Sequence, residues 1–79
     1  MSPARKEPDI KMYSGRFAVR LRKLREKAEL TIPDIAAITS IPVQTLYNWE
    51  RNKATPPIDA FPILAKAYGV EIRTLLPKN

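Results

Sequence analysis

Nowhere in this chain do apolar and polar residues alternate over the length of a strand; the apolar side chains recur at helical intervals instead. Phe17, Leu21, Leu24 and Ala28 fall at i, i+4, i+7 and i+11, one stripe along a first helix expected from about Gly15 to Ala28 with Ser14 as N-cap. Helix must therefore carry the fold. The 79 residues allow one small domain, and a domain of this size hides only about 60% of the surface its unfolded chain exposes. The chain has neither cysteine nor histidine. That removes disulfides, thiolate and imidazole metal ligands, and the usual general base at neutral pH. No convergent acid, base or nucleophile set is visible, so the reading is not an enzyme, with no cofactor and no metal.

Proline and turn residues divide the chain. Residues 1–13, with Pro3, Pro8 and few large apolar groups, read as a flexible N-terminal arm, and residues 14–77 as the folded domain. Thr31 opens a second helix: its hydroxyl can accept from the amide of Asp34, and Pro33 sits in the first turn, where a missing N–H costs nothing. Thr39, Ser40 and Ile41 make a short turn, and Pro42 starts a third helix reaching about Arg51. Pro56 and Pro57 end a loop. A fourth helix carries Phe61, Leu64, Ala65 and Tyr68 inward and closes at Gly69. Pro62 requires its start near Asp59, so that the proline stands third and needs no donor. A fifth short helix, about Glu71 to Leu76, supplies Ile72, Leu75 and Leu76.

Fourteen Lys and Arg against eight Asp and Glu give a net charge of +6, which favours a polyanionic partner. The surplus lies mainly between Arg16 and Lys27, where Arg16, Arg20, Lys23 and Lys27 share a helix face. No apolar stretch approaches the roughly 20 residues of a membrane span, and the N-terminus lacks the apolar core of a signal peptide. The expected location is the cytoplasm, in association with the nucleoid.

The informative stretch is Ile32 to Arg51. Two helices joined by so short a turn must cross steeply, with a small residue (Ala36) at the crossing and apolar supports (Ile35, Ile41, Leu46, Trp49) around it. This is the spacing of a helix-turn-helix, whose second helix is held out to enter a major groove. From about Leu21 to Leu76 the chain resembles the XRE-type, phage-repressor/Cro-like proteins. The resemblance rests on Leu21-Arg22-Lys23-Leu24-Arg25-Glu26, Leu30-Thr31, Ile35-Ala36, Leu46 to Arg51, a proline after the following loop, Leu64 to Val70, and Leu75-Leu76. It implies an all-α, compact five-helix domain with the helix-turn-helix at helices 2 and 3. Ile32 stands where the family usually has a phosphate-binding Gln, and Ser40 and Asn52 stand where it has glycine. Pro42 replaces a common Ser or Thr.

With Leu46 and Trp49 inward, Val43, Gln44, Tyr47, Asn48 and Arg51 are left outward and Thr45 lies near the rim. Gln44 and Asn48 can each bond an adenine edge in bidentate fashion, and the methyl groups of Val43 and Thr45 can meet a thymine methyl. The resemblance puts base contacts at the first turn of this helix and at Asn48. Tyr47, Arg51, Lys53 and Thr55 are expected to border the groove and bind phosphate, as is the amide end of helix two at Thr31. Arg25 and Glu50 match a pair that is internal in the family and are expected to form a structural ion pair.

The function so implied is a sequence-specific double-stranded DNA-binding transcriptional regulator, a repressor acting as a weak homodimer on a near-palindromic operator. Ile72 and Leu75 are its candidate interface residues. The alternative is an antitoxin that binds a toxin partner and its own operator. RNA binding and membrane-surface binding rank below both, for want of an exposed aromatic platform and a spare apolar face.

Overall fold

A computed structural model describes residues 12–77. The described residues form four α-helices and one 3₁₀ turn: α1 Tyr13–Lys27, α2 Ile32–Thr39, α3 Val43–Glu50, α4 Ala60–Tyr68, and the turn Ile72–Leu75. α1 packs on α3 and on the 3₁₀ turn, while α2 bridges α3 and α4. Leu21, Ile35, Leu64 and Leu75, one from each of α1, α2, α4 and the 3₁₀ turn, are completely buried where these elements meet. Phe17 and Phe61 stack beside them, with ring centroids 5.5 Å apart and planes 23° from parallel, an arrangement that favours offset rings. None of the described helices is long and apolar enough to cross a membrane.

The arm expected over residues 1–13 falls outside the described residues up to position 11. The first helix starts two residues before the expected Gly15: Tyr13 is already helical and Met12 is the N-cap. Ser14 does not cap. It stands inside the first turn, where its hydroxyl accepts from Asn52 Nδ2 at 3.2 Å. Tyr13 is anchored by its own hydroxyl, which donates to the Pro77 carbonyl at 3.1 Å and ties the start of the helix to the other end of the domain.

α2 begins with a complete capping box. The Asp34 amide donates to Thr31 Oγ1 at 3.2 Å and the Thr31 amide donates to Asp34 Oδ2 at 2.8 Å, so two otherwise unpaired donors are satisfied. Hydrogen bonds from the Thr31 amide foremost, and from the Thr31 hydroxyl second, hold the Asp34 carboxyl below its ordinary value. Asp59 is the N-cap of α4, so Pro62 occupies the third helical position and displaces no hydrogen bond. Gly69 ends α4 in the left-handed region at φ +75°.

The fifth element is the clearest departure from the α-helix expected there. Between Glu71 and Leu76 only four residues have room to turn, and they close as 3₁₀. Leu75 is fully buried in the core while Ile72 and Leu76 are exposed. Leu75 is therefore a core residue and leaves the list of interface candidates.

Candidate nucleic-acid interface

The short turn between α2 and α3 works because Ser40 takes the left-handed conformation, φ +66° and ψ +17°, with its amide donating to the Ala36 carbonyl at 2.8 Å. Thr39 supports the bend: its hydroxyl donates to the Ile35 carbonyl at 2.7 Å and accepts from the Ile41 amide at 3.1 Å. Pro42, in extended geometry, is the N-cap of α3 rather than its first residue. α3 is two turns long. Leu46 and Trp49 point into the core, 3% and 7% exposed, and so fix the rotation of the helix about its own axis.

That rotation decides what faces out. Val43, Gln44, Tyr47 and Arg51 are exposed, and Thr45 and Asn48 are half-buried at the edge. Gln44 Nε2 donates to Asn48 Oδ1 at 3.1 Å across one helical turn, so the two amides form one polar unit. The Arg51 guanidinium lies 5.8 Å from the centre of the Tyr47 ring, a cation–π distance. Gln44, Tyr47, Asn48, Arg51 and Lys53 together line a shallow cleft of about 250 Å³.

Lys53 reaches this cleft because the chain doubles back at the end of α3. The amides of Lys53 and Ala54 both donate to the Asn48 carbonyl, at 2.8 and 3.3 Å. Asn52 makes the reversal in the left-handed region at φ +60°, and its side chain is the donor to Ser14. This link between α1 and the loop was missed in the sequence, because Ser14 has an equally good local use as a cap and nothing local marks a partner 38 positions away. Thr55 is exposed farther along the loop, apart from the residues that line the cleft.

Thr31 stands apart from α3, at the start of α2. Its hydroxyl and its amide are both engaged by Asp34, and the helix end already holds the Asp34 carboxylate. Arg25 and Glu50 are joined by two hydrogen bonds, Nε to Oε2 at 2.7 Å and Nη2 to Oε1 at 3.0 Å. Arg25 Nη1 also donates to the Leu30 carbonyl at 3.0 Å, so one guanidinium ties α1, the following loop and α3 together. The hydrogen bond to Glu50 raises the Arg25 pKa above its ordinary value against the opposing effect of burial. Nearby, burial foremost and the Glu50 charge second push the Tyr68 phenol well up, so it is neutral at any physiological pH.

The arrangement is a short helix pinned on its inner side, with paired amides outward, cations at one end, and its one carboxylate, Glu50, buried against Arg25. It suits the edge of a polyanion that also offers hydrogen-bonding groups. Comparison with known proteins points the same way. A family model described as helix-turn-helix matches residues 21–75. Over 57 residues the chain is 37% identical to the HTH-type transcriptional regulator DdrOP3 of Deinococcus deserti, which covers 72% of this chain and 44% of that protein. The chain thus spans less than half the length of that relative. The fold superposes with a TM-score of 0.74, at 26% identity, on the crystal structure of the restriction-modification controller protein C.AhdI from Aeromonas hydrophila. That superposition covers 77% of this chain and 92% of the controller.

Proposed function

The chain belongs to the helix-turn-helix family, and from that premise we propose that it is a sequence-specific DNA-binding transcriptional regulator that represses by occupying its operator. The observation that carries the reading is the outward face of α3, where Gln44 and Asn48 share a hydrogen bond and are flanked by Arg51 and Lys53. A relative named as a transcriptional regulator and a structural neighbour named as a controller protein support it. α3 enters the major groove; Gln44 and Asn48 read base edges with Val43 and Thr45 beside them. Tyr47, Arg51, Lys53 and Thr55 hold the flanking phosphates, and the amide end of α2 at Thr31 adds one contact.

Two copies act on a near-palindromic site with half-sites about 34 Å apart. Ile63 of α4, Ile72 of the neighbouring 3₁₀ turn and Leu76 just after it, each between 42% and 46% exposed, are the surface on which the copies meet. Selection of bound duplexes from random DNA tests the reading. Gln44→Ala and Asn48→Ala should each lose preference at particular base positions, roughly 10-fold per position for a contact of about 1–3 kcal/mol. Uniform weakening on every duplex would assign these amides to the phosphates instead.

A further inference from the structure

The basic face of α1 is not used by the surface just described. Lys23 and Lys27 each lie two positions from Arg25, about 200° round a helix of 3.6 residues per turn. Because Arg25 reaches across to Glu50 of α3, the two lysines project from nearly the opposite side of α1. There they stand over a groove of about 390 Å³ between the C-terminal half of α1 and the junction of α4 with the 3₁₀ turn. Leu24, Ala28 and Val70 make its floor, with the buried Tyr68 behind them. Arg20 Nε donates to the Thr74 carbonyl at 2.8 Å and holds the far wall in place. Three cations line the groove, with no carboxylate among the described lining residues.

We propose that this groove is a docking site for an acidic peptide segment of a partner protein, one carrying a single large apolar side chain. Carboxylates on the segment pair with Lys23 and Lys27, and the apolar side chain covers Leu24, Ala28 and Val70. Charge selects this occupant. Residues 1–11 carry Arg5, Lys6 and Lys11 against Glu7 and Asp9, the wrong sign for this rim. In the two-fold arrangement proposed above, a second copy sits on Ile63, Ile72 and Leu76 instead. A nucleic acid matches the rim but not the floor: Tyr68, the aromatic residue in the lining, is only 6% exposed and offers no face for a base to stack on.

The test is independent of the DNA reading. The full chain, ¹⁵N-labelled and free of DNA, is titrated with a synthetic peptide of alternating Asp and Glu around a central Phe. Amide resonances of residues 23–28 and 69–70 should move while those of α3 stay in place. Combining Lys23→Glu with Lys27→Glu should weaken the peptide by about tenfold, two surface ion pairs lost and replaced by repulsion, and weaken duplex binding far less, by no more than the lowered net charge accounts for. Neutral Lys23→Gln with Lys27→Gln should show a smaller loss in the same direction, and Ala in place of the peptide's Phe should weaken binding by itself. Movement centred on α3, no movement at millimolar peptide, or unaltered affinity in the charge-reversed chain would each overturn the proposal. So would a single-stranded oligonucleotide that displaces the peptide from residues 23–28, or a parallel loss of duplex binding, since either would make this face a nucleic-acid contact.

Discussion

Arg25 and Glu50 show how a charged pair can set geometry without adding much stability. Their side chains are only 14% and 7% exposed, so both ions have given up most of their hydration for two mutual hydrogen bonds. Such a pair gains little over an apolar replacement, whereas removing one member strands the other. Arg25→Ala should lower unfolding stability in urea by about 3–5 kcal/mol, and Arg25→Met combined with Glu50→Leu should recover most of it. Additive single losses would contradict the coupling. Asp34 offers a pH-dependent counterpart. Its folded pKa lies below the unfolded value of about 3.9, so its stabilisation is full above that value and disappears as the pH falls through the lower folded one. In thermal melts, wild type should outlast Asp34→Asn by a constant margin from neutral pH down to about pH 4, and the margin should shrink below it.

The turn that joins α2 to α3 is strained where α1, α3 and α4 are not. Ser40 at φ +66° occupies a region that L-residues visit at a cost of about 1–2 kcal/mol, and its side chain makes no described hydrogen bond that offsets this. Ser40→Gly should therefore raise stability by about 0.5–1 kcal/mol, net of glycine's extra unfolded entropy, and leave duplex affinity intact. A melting temperature that stays level or falls would show that the serine side chain has an unrecognised use. Asn52, at φ +60°, stands in the same backbone region but bonds Ser14, so glycine there relieves strain and loses a tie to α1 together. The 3₁₀ turn shows the opposite balance: a segment too short for a stable α-helix is held because Leu75 is fully buried.

Across the whole molecule, charge separates two surfaces around one core. Arg51 and Lys53 flank the outward amides of α3, while Lys23 and Lys27 stand on the far side of α1. Each phosphate neutralised contributes about −0.9 to the slope of log affinity against log salt. Arg51→Ala should flatten that slope by about 0.9 for a single copy on DNA and by about 1.8 for a two-fold pair, so one titration reports both the contact and the stoichiometry. An unchanged slope would remove Arg51 from the phosphate contacts.

Helical spacing, the Thr31 cap and the inward positions of Leu46 and Trp49 were all readable along the chain, because each depends on neighbours within about one turn. The same locality made Val43, Gln44, Tyr47 and Arg51 legible as the outward side of α3, whereas Asn48, expected outward with them, is half-buried. Two features of the tertiary structure were not legible. Ser14 has a good local role as a cap and is used instead by Asn52, and the last element is 3₁₀ because of what Leu75 fills rather than what its own residues prefer. Both depend on contacts between distant segments, whose energies enter only when the core closes and whose partners leave no periodic trace in the order of residues. The groove beneath Lys23 and Lys27 belongs to the same class: sequence could place the charges on one face, but only packing could set an apolar floor beside them.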